Sequence, residues 1–215
     1  TYVQEGLALL GEGTVPALIE NVGKQMGMPV GPLAVNDEVG LDLSYKVAQQ
    51  TRKDLGDAYK GGPGETVIEK MNEIGRFGRK NAKGFYVYPE GGAKKYLWPE
   101  LVQTVAGGLA ETQPDAAEVK ERLLYRQLVE CARCMGEGVL ETPQDGDLGA
   151  IFGWGFAPFT GGPFSAMDTI GIANVVATLD RLAQRHGERF APPHYLRDMA
   201  ARGESFYGLA AKKAA

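Results

Sequence analysis

Apolar side chains recur at the three- and four-residue spacing of an amphipathic helix over most of the chain. Glycine or proline separates these segments, as expected where a helix ends on a left-handed residue or begins at a proline. The pattern predicts helices over residues 2–12, 15–26 and 41–55, one opened by Pro32 and one after the Gly/Pro break at 61–65.

A longer helix is predicted to begin after residue 113. Asp115 and Glu118 have the spacing of a capping box, in which each side chain satisfies a free amide of the first turn. The apolar residues that follow share one face and are Val119, Leu123, Leu124, Leu128, Cys131 and Met135. The helix therefore has a stripe suited to burial against other helices.

Residues 75–98 break the helical pattern. The run from Phe85 to Tyr88 is rich in residues that favour strands, and it is closed by Pro89 and a pair of glycines. We therefore expect a loop followed by a small β-hairpin near 84–97.

The periodicity fails again over 99–113, where two adjacent glycines interrupt it. Such a stretch is typical of a connection between domains. We predict an all-α fold of two tandem helical domains, 1–98 and 114–215, joined by a linker over 99–113.

The two predicted domains share an ordered series of sequence features. GPLAVNDEVG at 31–40 and GPFSAMDTIG at 162–171 have the same pattern at an offset of 131 residues. GEG occurs upstream of each, at 11–13 and 136–138, and a segment opened by Thr and Pro follows it. The chain is therefore interpreted as two copies of one helical unit, each expected to bury an apolar face against its twin.

The repeat contains the same acid in both copies, Asp37 and Asp168. Each lies in the second turn of a short helix, too far inside it to cap the helix itself. Our hypothesis is that each carboxylate accepts hydrogen bonds from backbone amides of a neighbouring turn and so holds the Gly/Pro segment. The alternative is an acid that faces solvent.

Composition and charge exclude several classes of protein. Lys plus Arg is 23 and Asp plus Glu is 27, so the net charge is −4, and no basic tail is present to neutralise nucleic-acid phosphates. No apolar run reaches the roughly 18–20 residues that span a bilayer. Two cysteines in 215 residues indicate a reducing, cytoplasmic setting. The chain opens without Met inside an apolar-periodic stretch, so we expect a piece of a longer protein.

The residues of familiar catalytic centres are sparse. His186 and His194 lie beside charged residues and prolines, a setting typical of helix ends rather than of a general base. Cys131 and Cys134 form C-x-x-C in mid-helix without a second Cys or His pair, which favours core packing over a metal or redox site. Neither a glycine-rich dinucleotide loop nor a phosphate-binding lysine motif is present. We therefore expect no catalytic, cofactor-binding or metal-binding residue in this chain.

Two groups of residues leave alternatives open. The segment from Arg76 to Lys95, called the basic loop, carries six cations against one acid, and it is interpreted as an anion site or as a solvated hairpin. The second group lies in the two Gly/Pro turns and either lines an apolar acyl pocket or staples helix ends. Its members are Met26, Met28, Pro29, Val30, Phe152, Trp154, Phe156 and Phe159.

Three strings carry a family resemblance: GMPVGPLAVNDEVGLD, GRFGRKNAKGFYVYPEGG and GWGFAPFTGGPFSAMDTIG. They resemble the C-terminal region of the multifunctional fatty-acid oxidation enzymes, which join enoyl-CoA hydratase to NAD-dependent 3-hydroxyacyl-CoA dehydrogenase. The resemblance covers essentially the whole chain. It implies two helical domains of the 6-phosphogluconate dehydrogenase C-terminal type, the second in place of the partner subunit of dimeric relatives.

The resemblance also implies where the substrate binds. The turn Met28-Pro29-Val30-Gly31-Pro32 corresponds to the turn that closes over the acyl end of the substrate in relatives. Phe152 stands where some relatives have a substrate-contacting Tyr, and its ring lacks the hydroxyl. The family's His–Glu pair and NAD loop belong to a Rossmann domain that no residue here matches.

The expected function is therefore the C-terminal portion of an enzyme that oxidises 3-hydroxyacyl-CoA to 3-oxoacyl-CoA in β-oxidation, with NAD bound by the missing Rossmann domain. Expected partners are an acyl-CoA substrate and that domain, and a fused hydratase domain and a thiolase subunit stay open. Alone, the chain is expected to be inactive. The alternative is a non-catalytic helical assembly module that shares the fold.

Overall fold

The computed structural model describes residues 1–62 and 64–208. Residue 63, within the predicted break at 61–65, lies outside the described residues. So do residues 209–215, at the predicted end of the second domain. The described helices are α1 (Tyr2–Gly11), α2 (Pro16–Gln25), α3 (Pro32–Val39), α4 (Leu41–Leu55), α5 (Glu65–Glu73), α6 (Leu101–Ala106), α7 (Ala116–Gly136), α8 (Pro143–Trp154), α9 (Pro163–Ile170), α10 (Ile172–His186) and α11 (His194–Arg202).

Periodicity located the helices closely. The segments predicted over 2–12, 15–26 and 41–55 are confirmed as α1, α2 and α4, each bound within one residue of its prediction. The described sheet consists of β1 (Tyr86–Val87) and β2 (Tyr96–Leu97), paired antiparallel, which confirms the predicted hairpin. The all-α fold class with one small hairpin is therefore confirmed.

The described chain divides into two compact units. The N-terminal unit contains Tyr2–Gln25 and Val30–Lys120. The C-terminal unit contains Thr1, Met26–Pro29 and the chain from Glu121 onward. The short segment Met26–Pro29 is thus grouped with residues that lie a hundred positions later in the sequence.

The core of the N-terminal unit forms where α1 packs against α2, α3, α5 and α6. Apolar side chains from each of these helices are removed from water, which supplies the main drive for folding. Fully buried residues include Leu9, Leu10, Ile19, Leu33, Leu41, Met71, Phe85 and Leu101.

The segment 99–113, expected to be a linker, is packed into the N-terminal unit instead. It contains α6, whose Leu101 and Val105 are buried, and α6 contacts α1 and α5. The side chain of Gln113 donates to the Gly13 carbonyl at 3.0 Å and accepts from the Val15 amide at 2.9 Å. α6 has six residues, and its apolar residues Leu101, Val102, Val105 and Ala106 cover too short a stretch to establish a helical period, so sequence periodicity missed the helix.

The C-terminal unit is built on α7, with α8, α9, α10 and α11 packed in sequence order. The predicted capping residue Asp115 accepts a hydrogen bond from the Glu118 amide at 2.8 Å, which confirms the start of α7. Leu123, Leu128 and Cys131 of the predicted stripe are buried. None of the described helices is long and apolar enough to cross a membrane.

Candidate functional site

A buried acid holds the start of the short helix that follows the first Gly/Pro turn. Glu20 of α2 is only 3% exposed, and its Oε1 accepts from the Leu33 amide at 2.7 Å and the Ala34 amide at 3.3 Å. Its Oε2 accepts from the Tyr86 hydroxyl at 2.6 Å. Since the first amides of a helix have no partner within the helix, a carboxylate here satisfies them and complements the helix dipole.

The repeated acid of the first copy binds backbone amides, as the sequence hypothesis states. Asp37 is 1% exposed; its Oδ1 accepts from the Phe85 amide and its Oδ2 from the Tyr86 amide, each at 2.8 Å. The Tyr88 hydroxyl also donates to Oδ2 at 3.1 Å. The carboxylate lies against Gly84, where a side chain would collide with it. Asp37 thus ties α3 to the hairpin.

The second copy repeats this arrangement. Asp147 of α8 accepts from the Phe164 amide at 2.7 Å and the Ser165 amide at 3.1 Å, at the start of α9, and from the Tyr207 hydroxyl at 2.8 Å. Asp168 accepts from the Phe206 amide at 2.8 Å and the Tyr207 amide at 2.9 Å. Each copy therefore has a capping acid, an acid inside the short helix and a Phe-Tyr pair that joins them.

The hypothesis about Asp37 and Asp168 is confirmed for the kind of donor and wrong for the segment held. Both accept backbone amides, but these belong to the Phe-Tyr pairs rather than to a turn next to the Gly/Pro segment. The Gly/Pro segment is instead held by Glu20 and Asp147, which sequence reasoning missed.

Burial sets the protonation of this network. Burial raises the pKa of Asp37, while the amides of Tyr86 and Phe85 act in the opposite direction. Burial, followed by the hydrogen bond to Glu20, raises the pKa of Tyr86. Burial and the hydrogen bond to Asp147 raise the pKa of Tyr207 to about 12. Both tyrosines therefore remain hydrogen-bond donors at neutral pH.

The predicted substrate-binding residues fall into both units. Val30, Gly31 and Pro32 belong to the N-terminal unit, and Met28, Pro29 and Phe152 to the C-terminal unit. Gly31 and Pro32 are buried and shape the backbone, whereas the Val30 side chain is 37% exposed.

Within the C-terminal unit, the predicted residues differ in exposure. Met28 is buried, Pro29 is exposed, and Phe152 on the outer face of α8 is 84% exposed. Pro29 lies beside Gly155, where an added side chain would meet its ring. Pro29 and Phe152 therefore each leave apolar surface in contact with solvent.

The two apolar Gly/Pro turns each combine a buried and an exposed residue. Phe156 is fully buried, as Met28 is, so both residues staple their turns to a core. Trp154 and Phe159 remain exposed, although the Trp154 indole N–H donates to Gln127 at 3.1 Å. The interpretation that these residues staple helix ends therefore holds for Met28 and Phe156, and the acyl pocket stays a prediction for the exposed residues.

Most cations of the basic loop have partners inside the N-terminal unit. Arg76 is buried and donates to the Gly84 carbonyl at 2.8 Å. Four of the six side chains are engaged as follows: Arg76 over the Trp98 ring, Arg79 with Glu38, Lys80 with Asp42, and Lys95 over the Tyr86 and Tyr88 rings. These contacts favour a hairpin over an anion site, because four of the six cations already contact groups of the same unit.

The histidines and cysteines occupy structural positions. His186 is the last residue of α10 and packs against Phe190, and His194 is the exposed first residue of α11. Cys131 lies in the core of the C-terminal unit, which confirms its packing role. In the part of the chain that the structure describes, no three His, Cys, Asp or Glu side chains are grouped to hold a metal ion.

The two thiols should differ in reactivity. Burial raises the pKa of Cys131 to about 12 and also raises the pKa of the half-buried Cys134. Because the thiolate is the nucleophile, we expect iodoacetamide at pH 8 to label Cys134 slowly and Cys131 hardly at all. Peptide mass spectrometry checks this, with urea-unfolded protein, labelled at both sites, as the control. Equal labelling in the folded chain would contradict the placement of Cys131 in the core.

Comparison with known proteins finds relatives along the whole chain. Residues 1–88 match the family model described as 3-hydroxyacyl-CoA dehydrogenase, C-terminal domain. The fatty acid oxidation complex subunit alpha of Shewanella amazonensis is 40% identical over 206 residues, and that of Shewanella frigidimarina is 41% identical over 206 residues. Each match covers 96% of this chain and 29% of the relative. The chain thus spans less than a third of the length of these relatives.

Solved structures share the fold. The dehydrogenase part of multifunctional enzyme 1 from C. elegans has a TM-score of 0.63 at 19% identity, over 92% of this chain and 45% of that one. The 3-hydroxybutyryl-CoA dehydrogenase of Escherichia coli K12 has a TM-score of 0.66 at 17% identity, over 94% of this chain and 57% of that one. At these identities the likeness supports the fold alone.

Proposed function

We propose, from the match of residues 1–88 to the model of the 3-hydroxyacyl-CoA dehydrogenase C-terminal domain, that the chain is the helical portion of an NAD-dependent 3-hydroxyacyl-CoA dehydrogenase of fatty-acid β-oxidation. In the complete enzyme, 3-hydroxyacyl-CoA is oxidised to 3-oxoacyl-CoA. The observation that carries the proposal is the family match together with relatives, named as fatty acid oxidation complex subunits, that align with 96% of the chain.

The chain's own contribution is a wall for the acyl group. The segment Val30–Pro32 is fixed on one side by the Glu20 cap on α3. In the N-terminal unit this wall is Val30, whose side chain is 37% exposed. In the C-terminal unit, taken by itself, Pro29 and Phe152 expose apolar side chains and Met28 is buried. A rigid apolar surface of this kind binds an acyl chain with little loss of conformational entropy.

The described residues do not fit an NAD site. A dinucleotide site needs a parallel strand, a glycine-rich turn and a helix N-terminus. The described sheet is a two-stranded antiparallel hairpin, followed by α6 only after a turn without that glycine motif. We therefore assign the cofactor and the catalytic base to a Rossmann domain outside this chain. When bound there, NAD accepts a hydride from the substrate.

The proposal extends to partners and location. The relatives are named as subunits of a complex, which supports an acyl-CoA substrate, a hydratase domain on the same polypeptide and a thiolase subunit as partners. The low cysteine content, two in 215 residues, supports a cytoplasmic setting.

A domain exchange tests the proposal. The matched region of the Shewanella amazonensis subunit is replaced by this chain, and NADH formation from 3-hydroxyacyl-CoA is compared with that of the parent subunit. We expect turnover within about tenfold of the parent, because the acyl wall and the domain contacts should be retained. The chain by itself should give none.

The control is the subunit truncated before the matched region, which should be inactive. An exchanged protein that folds and binds NAD as the parent does, yet turns over no substrate, would favour the non-catalytic assembly module instead.

A further inference from the structure

A buried tyrosine grips the backbone of the predicted substrate turn. Tyr2, the first residue of α1, is 6% exposed, and its hydroxyl donates to the carbonyl of Val30 at 3.0 Å. The ring reaches this position because Gly23 of α2 has no side chain; a Cβ there would collide with the hydroxyl. The contact is thus built by two residues from two helices.

The equivalent position in the second copy has a different role. The repeated GEG motif is offset by 125 residues, which pairs Tyr2 with Gln127. Gln127 is also buried, but it accepts a hydrogen bond from the Trp154 side chain at 3.1 Å. The tether to a backbone carbonyl is therefore present in the first copy and replaced by a side-chain contact in the second.

The other contacts of this region are common to both copies. Glu20 and Asp147 cap the short helices, and Asp37 and Asp168 bind the Phe-Tyr amides. What both copies share is explained by the fold that they share. The Tyr2–Val30 bond belongs to the first copy alone among the described contacts of these two positions, so the shared fold does not account for it.

We propose that Tyr2 is a positioning residue, which fixes the peptide of Val30 so that the Val30 side chain stands as a rigid contact for the acyl chain of the substrate. This inference rests on the proposed function. Tyr2 touches the backbone of the turn, and it acts on the acyl chain through Val30.

The hydrogen bond from Tyr2 to the Val30 carbonyl is expected to persist over a wide range of pH. Burial, followed by the nearby charge of Glu20, raises the pKa of Tyr2, so its hydroxyl stays protonated and keeps donating at neutral and alkaline pH. Without the hydroxyl, the Val30 carbonyl loses its partner and the turn gains freedom, while the ring of a phenylalanine still fills the space.

The test is Tyr2→Phe in the full chain, with decanoyl-CoA as the probe and butyryl-CoA and CoA as comparisons. Binding is followed through the valine methyl signals in NMR, with Val30 assigned by Val30→Ile. In the parent chain we expect the Val30 signal to shift with decanoyl-CoA and not with CoA. Tyr2→Phe should weaken decanoyl-CoA binding by about threefold to tenfold, the effect of one hydrogen bond, and leave butyryl-CoA binding nearly unchanged.

A matched variant separates positioning from stability. Tyr207→Phe removes a tyrosine hydroxyl of the second copy, which donates to the charged carboxylate of Asp147 at 2.8 Å. It should lower the melting temperature at least as much as Tyr2→Phe does, yet leave the preference for decanoyl-CoA over butyryl-CoA intact. Gly23→Ala, which displaces the Tyr2 hydroxyl without removing it, should reproduce the effect of Tyr2→Phe.

The outcomes distinguish a failure of the proposed acyl wall from a failure of the positioning role of Tyr2. If the Val30 signal of the parent chain does not shift with decanoyl-CoA, the proposed acyl wall is wrong, and the positioning role of Tyr2 is overturned as well. If the parent shifts and Tyr2→Phe keeps the same affinity and chain-length preference, the acyl wall stands and the positioning role of Tyr2 is overturned.

Discussion

Asp37→Ala should reduce the free energy of unfolding by about 3–5 kcal/mol, because it removes the common acceptor of three neutral donors. Asp37 accepts from the Phe85 and Tyr86 amides and from the Tyr88 hydroxyl. Alanine leaves these three donors without their acceptor, at about 1–3 kcal/mol for each one that stays buried. Urea denaturation followed by circular dichroism measures the change.

The adjacent residue supplies the control. Glu38 also lies on α3, but it is exposed and pairs with Arg79 on the surface. Glu38→Ala should therefore change stability by about 0.5 kcal/mol or less. If Asp37→Ala unfolds at the same urea concentration as Glu38→Ala, the carboxylate of Asp37 does not hold the hairpin.

Local sequence patterns predicted the helices well where a helix has a continuous apolar period and a glycine or proline at its ends. The bounds of α4, residues 41–55, follow from a glycine on each side and a continuous period between them. Proline at the first position marked the start of α3 and α9. The six-residue α6 within 99–113 gives no such signal, so the sequence predicts a linker there. The burial of α6 comes from neighbours that are distant in the sequence.

The repeat predicted which acids matter and could not predict what they bind. Asp37 and Asp168 share the offset of 131 residues with the helices that carry them, so they were found together. The Phe-Tyr pairs, 85–86 and 206–207, are offset by 121 residues, and a search at one fixed offset passes over them. Spacing along the chain alone does not reveal that a strand and a C-terminal segment reach equivalent positions.

The capping acids were hidden for a different reason. Glu20 and Asp147 differ in residue type and are offset by 127 residues, so they do not register as a repeated motif. From sequence alone, a single acid within an amphipathic helix is expected to face solvent. The packing of α2 against α3 and of α8 against α9 shows that Glu20 and Asp147 are buried. The longer glutamate reaches the start of α3, and the shorter aspartate reaches the start of α9.

Asp147→Ala is the corresponding substitution in the C-terminal unit, and it should reduce the free energy of unfolding by about 3–5 kcal/mol, because several neutral donors lose their common acceptor. Its carboxylate accepts from the Phe164 and Ser165 amides, from the Ser165 hydroxyl at 2.6 Å and from the Tyr207 hydroxyl. The start of α9 would lose both its cap and a favourable charge at the helix dipole.

Tyr207 offers a second measurement of the same change. Burial is the first cause that raises its pKa to about 12, and the hydrogen bond to Asp147 and the charge of Asp147 are the next. Removing the carboxylate removes both of these, so the Tyr207 pKa should fall towards the ordinary tyrosine value of about 10 in Asp147→Ala. Ultraviolet titration of the phenol, compared with a Tyr207→Phe background, isolates this residue.

Asp145→Ala is the matched control for Asp147→Ala, since Asp145 is exposed on the same helix and accepts from the Thr142 hydroxyl alone. It should cost about 1 kcal/mol or less and leave the titration of Tyr207 unchanged. A Tyr207 pKa that stays at its original value in Asp147→Ala would show that the phenol is not bound to this carboxylate. The acid, the helix start and the Phe-Tyr pair would then not form one network in the second copy.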